Sequence, residues 1–236
     1  MRKYDVLLFD LDDTILDFKK GEQAALTSLF KEMNVENIQK TIDDYIVLNK
    51  SLWNEMEKGT VTREYVLNNR FSMLFNSYDK IVDGEQVELR YRYYLDLQHD
   101  YIEGAQDILK DLCKDYKIYI ITNGVSTTQL KRIKDSKLEH CFIDVFVSED
   151  IGYQKPAKEY FKAVTNKIPD INIRRTLIIG DSLTADIKGG IVSDIDTCWF
   201  NPHKIENLTE IKPTYEIHKL SDLYQIIKWG CLKIEN

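Results

Sequence analysis

The sequence predicts an open α/β fold: a parallel sheet with helices on both faces, and a smaller all-helical segment inserted after the first strand. Three observations lead there. Five short, β-branched apolar runs are near-continuous rather than alternating, which suits strands buried on both faces. Helical patterns separate the later runs, the order expected of right-handed strand–helix–strand crossovers. Between the first and second runs, residues 18–100 carry helical periodicity almost throughout.

The first run is YDVLLF at 4–9, and it stops abruptly at the acids Asp10, Asp12 and Asp13. The insertion follows, with helical patterns at 22–33, 43–59, 62–75 and 85–97. In the third of these, Tyr65, Val66, Asn69, Phe71, Met73 and Leu74 form an imperfect apolar stripe; Thr62 is placed to cap its start and Gly59 to stop the helix before it. A helical insertion of this length between two sheet strands reads as a second small domain. The boundaries predicted are 1–16 with 100–236 for the core and 17–99 for the insertion. AQDILKDLCKDY (105–116) then leads into the second run, KIYIIT (117–122), and TTQLKRIKDS (127–136) leaves it. IDVFVS (143–148) is followed by the helical AKEYFKAVTNKI (157–168), TLIIG (176–180) by TADIKGGIV (184–192), and DTCWF (196–200) closes the series.

Bulk properties narrow the function classes. The chain has 236 residues, 43% hydrophobic and 30% charged, as in a folded soluble protein with a large core. A formal net charge of −7 disfavours nucleic acid or an anionic membrane surface as partner, yet leaves room for a small anionic substrate at a locally positive site. The RYRYY at 90–94 reads as one face of an amphipathic helix, since no basic stripe continues from it. Cys113, Cys141, Cys198 and Cys231 are widely spaced and form no C-x-x-C pair, so thiols in a reducing compartment are expected rather than a zinc site or a disulfide framework. The apolar run of MRKYDVLLFD is too short for a signal peptide or a membrane span, and a cytoplasmic location is the expectation.

Four predicted strands end in polar clusters: Asp10-Leu11-Asp12-Asp13-Thr14, Thr122-Asn123-Gly124, the SEDIGYQKP segment carrying Lys155, and Gly180-Asp181-Ser182 with Asp186 beyond. In open parallel sheets the ligand crevice lies at the carboxyl ends of the strands, so these clusters should converge on one sheet edge. Asp10, Asp12 and Asp181 offer hard oxygen ligands, which suit Mg²⁺. The motifs contain no His or Cys, which argues against zinc. Thr122 brings a hydroxyl, the Asn123-Gly124 turn backbone N–H groups, and Lys155 a point positive charge. Together with a divalent cation these make a receptor for a phosphoryl group, leaving carboxylates for nucleophilic and acid/base work.

In order and context, DLDDT, TNG, QKP and GDSLTAD resemble the four motifs of the haloacid dehalogenase-like hydrolase superfamily. The resemblance spans essentially the whole chain and implies a Rossmann-like core with a helical cap inserted between the first two motifs. DDTILDF, LWNEMEKG, NNRF, ITNG, FVSEDIGYQKP, GDSLTADIKGG and DTCWFNP further resemble the pyrimidine 5′-nucleotidase branch, cytoplasmic phosphatases acting on nucleoside monophosphates. On this resemblance Asp10 attacks phosphorus and forms an aspartyl-phosphate. Asp12 protonates the leaving alcohol and then activates water. The Asp10 carboxylate, the Asp12 backbone carbonyl and Asp181 bind Mg²⁺. Thr122 and Lys155 hold the phosphoryl oxygens with help from the Asn123 backbone, and Asp186 supports the metal or Lys155.

Other residues are read as structural. Asp13 and Ser182 suit local capping. Phe18, Trp53 and Arg70 in the insertion could meet a base or sugar, but such residues in a helical domain are more often core or ion-paired. Competing functions include sugar-phosphate or phosphoglycolate phosphatases and phosphomutases of the same superfamily. A dehalogenase needs no acid at the position of Asp12. A non-enzymatic phosphoreceiver is a different class; it would be shorter, lack the long insertion, and carry its acceptor Asp on a later strand.

Overall fold

The computed structural model describes residues 3–229. Six strands form one sheet: β1 (Val6–Phe9), β2 (Lys117–Thr122), β3 (Asp144–Val147), β4 (Thr176–Gly180), β5 (Asp196–Phe200) and β6 (Tyr215–Ile217). Their spatial order is β3-β2-β1-β4-β5-β6, and all five pairings are parallel. Every residue of β1 and β4 is buried, because both strands are central and covered on both faces. Successive side chains therefore enter different layers. Leu7 and Phe9 pack with Ile118, Ile120, Leu177 and Ile179 on one face; Val6 and Leu8 pack with Tyr119, Ile121 and Ile178 on the other.

The first face is covered by α5 (Ala105–Leu112) through Ile108, Leu109 and Leu112. The second is covered by α8 (Lys158–Lys167) through Tyr160, Phe161 and Val164. Between them in the chain lie α6 (Ser126–Asp135) and a single turn, α7 (Ser148–Ile151). Beyond Asp181 the backbone departs from the regular helix predicted there. Leu183–Ile187 forms a wide π turn before α9 (Lys188–Val192). Ser182 caps the start, its hydroxyl accepting from the Ala185 N–H at 3.1 Å, while its own N–H donates to the Asp186 carboxylate at 3.2 Å. Strand β6 was not foreseen: three residues paired only with β5 are too short to carry a periodic signal.

Four helices occupy the insertion: α1 (Phe18–Glu32), α2 (Ile38–Glu57), α3 (Arg63–Asn76) and α4 (Gly84–Leu95). Side chains of Asn37, Thr62 and Asp83 cap α2, α3 and α4, each accepting from a backbone N–H of the first turn. Leu26, Phe30, Tyr45, Phe71, Phe75 and Tyr91 build its core. Inside that core Arg70 is buried and forks onto both oxygens of Glu88 at 2.7 and 2.8 Å; it also donates to Asn49 at 3.0 Å. Arg70 thus serves the packing of the four helices. The chain divides into two compact units, one built from the chain up to Asp17 and from His99 onward, the other Phe18–Gln98.

Cys113, Cys141 and Cys198 are free thiols, and Cys231 lies outside the described residues. No helix among the described residues is long and apolar enough to cross a membrane.

Candidate active site

The site grows from the carboxyl end of β1. The Asp10 N–H donates to the Ile179 carbonyl at 2.8 Å, so the ladder with β4 carries Asp10 one step past the strand, where only 6% of it is exposed. The chain then turns back on itself. Asp13 takes a left-handed conformation (φ 56°), which Asp tolerates better than most residues. Its N–H donates to the Leu16 carbonyl at 2.7 Å, closing the turn. Asp13 therefore has a local role in the backbone.

Lys155 reaches this carboxylate from the loop after β3. Its ammonium is buried and spends its three donors on Asp10 Oδ1 (2.6 Å), Asp186 Oδ1 (2.6 Å) and the Ile121 carbonyl (3.0 Å). Asn123 holds the Lys155 backbone from β2's end by two bonds of 2.9 Å, Nδ2 donating to the Lys155 carbonyl and the Lys155 N–H to Oδ1. Thr122 is buried beside it, and its hydroxyl oxygen accepts from the Gly124 N–H at 3.1 Å. Asp181 follows β4 directly, and its carbonyl accepts from Trp199 Nε1 at 2.8 Å. Asp186 can approach only because residue 180 is glycine: a Cβ there would stand 2.3 Å from Asp186 Oδ2.

Asp10, Asp181 and Asp186 each offer a carboxylate oxygen, and these oxygens all lie within 4.8 Å of one another. Three carboxylates, two of them buried, against one buried ammonium leave an excess of negative charge. Burial pushes the Asp10 carboxyl well above the ordinary range; Asp186, Asp181 and Asp12 push the same way and Lys155 opposes them. Burial works against the Lys155 ammonium, but Asp10 and Asp186 outweigh it and hold it charged. An all-oxygen donor set with surplus negative charge fits a hard divalent cation such as Mg²⁺.

The Asp12 carboxylate is not one of this cluster and is hydrogen-bonded to α6. It accepts from Gln129 Nε2 at 2.6 Å and from Arg132 Nη1 at 2.5 Å. Gln129 and Arg132 were missed from the sequence, although a signal was present. Helix α6 buries Thr128, Gln129, Arg132 and Ile133 while Leu130 is 48% exposed, so a mainly polar face points inward. Trp199 and Thr14, whose hydroxyl faces Asp10 Oδ2 at 3.4 Å, were also missed; each lies inside an apolar or motif run where nothing separates it from its neighbours.

This constellation at the carboxyl edge of a parallel sheet has relatives. Residues 7–200 match the family model of the haloacid dehalogenase-like hydrolases. The chain belongs to that family and is an enzyme of the hydrolase class. It is 49% identical over 236 residues to the HAD-hydrolase YfnB of Bacillus subtilis, covering all of this chain and 98% of that protein. The structure of YfnB, solved bound to magnesium, superposes with a TM-score of 0.91 over 95% of this chain and 99% of that one. Two further relatives are pyrimidine 5′-nucleotidases. PynA of Streptococcus pneumoniae is 42% identical, covering 98% of each chain. YjjG of Escherichia coli is 29% identical, covering 95% of this chain and 98% of its own.

Proposed function

We propose that this protein is a Mg²⁺-dependent phosphatase of small phosphate monoesters, acting as a 5′-nucleotidase on pyrimidine nucleoside monophosphates. The observation that carries the chemistry is the grouping of Asp10, Lys155, Asp181 and Asp186 at one sheet edge with Asp12 two residues from Asp10. The full-length likeness to PynA and YjjG supports the substrate class. In this reading the chain up to residue 16 and from 100 onward is the phosphatase core, and 17–99 is its cap domain.

Asp10 is the nucleophile. Its carboxylate oxygen bonds to phosphorus as the bond from phosphorus to the ester oxygen breaks, and Asp12 delivers a proton to that departing oxygen. The same Asp12 then takes a proton from water as the water oxygen attacks phosphorus, and the bond to Asp10 breaks to release phosphate. Lys155 neutralises the phosphoryl oxygens, and Thr122 and the Asn123 backbone orient them. Asp10, the Asp12 carbonyl and Asp181 would hold Mg²⁺, with Asp186 backing Lys155 or the metal. Bound there, the ion offsets charge on the transferring group.

The test is phosphate release from dUMP, dTMP, UMP, AMP, phosphoglycolate and glucose phosphates, with Mg²⁺ or with chelator, and Asp10→Asn as blank. Mg²⁺-dependent release strongest on the pyrimidine nucleotides is expected. Preference for glycolate or sugar phosphates would overturn the substrate class while keeping the chemistry; no release from any of them would overturn both.

A further inference from the structure

We propose that Gln129 and Arg132 are positioning residues for the acid/base Asp12, holding its carboxylate in the one orientation from which it serves the leaving oxygen. This rests on the reading of Asp12 given above.

Each Asp12 oxygen has its own donor: Oδ2 faces Gln129 Nε2 at 2.6 Å and Oδ1 faces Arg132 Nη1 at 2.5 Å. Two donors on two oxygens fix the rotation of the carboxylate as well as its position. The donors are themselves fixed. Gln129 Oε1 accepts from Arg132 Nη1 at 3.0 Å, which settles the orientation of the amide and directs its nitrogen outward. That nitrogen also donates to Thr122 Oγ1 at 2.9 Å, so one amide ties the acid/base to the residue placed to hold phosphate. Both side chains are buried, Arg132 completely, although a buried guanidinium is expensive to desolvate. Packing alone would be served better by apolar side chains at these positions on α6.

A second feature points the same way. A Cβ on Gly124 would stand 2.4 Å from Gln129 Nε2, so the turn leaving β2 must be glycine for the amide to reach Asp12. Gly124→Ala therefore displaces this amide, and with it the bond to Thr122, while leaving the side chains of Asp12, Asp10 and Lys155 in place.

The discriminating property is the leaving group. An alkoxide, such as the 5′ oxygen of a nucleotide, needs a proton to depart; p-nitrophenolate does not. Because kcat/KM covers only the steps up to release of the first product, it isolates the role of Asp12 as acid. We would measure kcat/KM for dUMP and for p-nitrophenyl phosphate in wild type, Gln129→Met, Arg132→Met, Arg132→Lys and Gly124→Ala, with Asp12→Asn as reference. Thermal melts identify any variant that is unfolded. Expected are losses of about 10²-fold on the nucleotide and below about fivefold on p-nitrophenyl phosphate, with Arg132→Lys recovering part of the loss. Adding Gln129→Met to Asp12→Asn should cost no more than about fivefold further, the share carried by its second bond to Thr122 and far short of the loss it causes alone. Equal losses on both substrates, or losses that add in the double variant, overturn the positioning role while the phosphatase reading stands. A wild type that releases no phosphate from either substrate overturns that reading and the positioning role with it. If Arg132→Met fails to fold, Gln129→Met and Gly124→Ala decide.

Discussion

The buried Lys155 has two carboxylate partners at equal distance, Asp10 and Asp186, and this explains both the order and the cost of the site. The ammonium fixes the two acids, but it cannot satisfy three. Asp10 accordingly keeps its proton to higher pH than an ordinary carboxyl group in the metal-free protein, and that shift has a measurable consequence. A carboxyl group with a raised folded-state pKa binds protons more tightly folded than unfolded. Metal-free stability therefore falls as pH climbs from the ordinary carboxylate value, about 3.9, through the raised one. Asp10→Asn removes this penalty and keeps the shape. The metal-free variant is expected to melt at least about 2–4 °C above wild type at pH 7, an advantage of ~1 kcal/mol that vanishes near pH 4, while its phosphatase activity is lost. Melting curves across pH in chelator check this; a variant that melts below wild type at pH 7 would contradict it. Arg70 poses the opposite case. Its charge is buried against Glu88 within the four-helix unit, so Arg70→Met strands a buried carboxylate and should cost about 3–5 kcal/mol, read by urea unfolding.

At the scale of elements, short turns do the placing. Strand β1 is four residues long, yet its ladder to β4 continues through the Asp10 N–H and sets the depth of that carboxylate. The π turn after Asp181 is the counterpart on β4: it brings Asp186 over Gly180. Gly180→Ala puts a Cβ 2.3 Å from Asp186 Oδ2, so the carboxylate must move off Lys155 or the turn must shift. Weaker Mg²⁺ affinity by about tenfold, ~1.4 kcal/mol, is expected by calorimetric titration, with the fold retained. In the helical unit, Thr62 caps the start of α3, accepting from the Tyr65 N–H at 3.1 Å, and Thr62→Ala should cost about 1 kcal/mol in urea.

For the whole molecule, the family relationship and the parallel sheet agree on one chemistry at one edge. All the site residues predicted from sequence lie in the unit that holds the sheet, and none in Phe18–Gln98. A cation that binds the folded acidic group and not the unfolded chain stabilises by mass action. At a hundredfold excess over its Kd, Mg²⁺ should add about 2.7 kcal/mol, and chelator should reverse the rise in melting temperature. In Asp181→Asn the rise should shrink; an undiminished rise would place the ion elsewhere.

Sequence alone determined the layers and the order of the parts. Runs such as VLLF and TLIIG read as strands covered on both sides because water is absent from both faces, and that constraint is local to the run. Clusters of Asp, Thr and Lys after such runs were legible for the same reason: unlike chemistry stands out against an apolar background. Tertiary structure decided what each polar group meets. Arg132 lies 120 residues from Asp12 and Gln129 lies 117 away, and the scarcity of apolar residues in TTQLKRIKDS hints at a polar inward face without naming what it meets. Only the pairing of β1 beside β2 puts α6 within reach of the DLDDT turn, since a hydrogen bond of 2.6 Å depends on where two backbones run and not on what either segment spells.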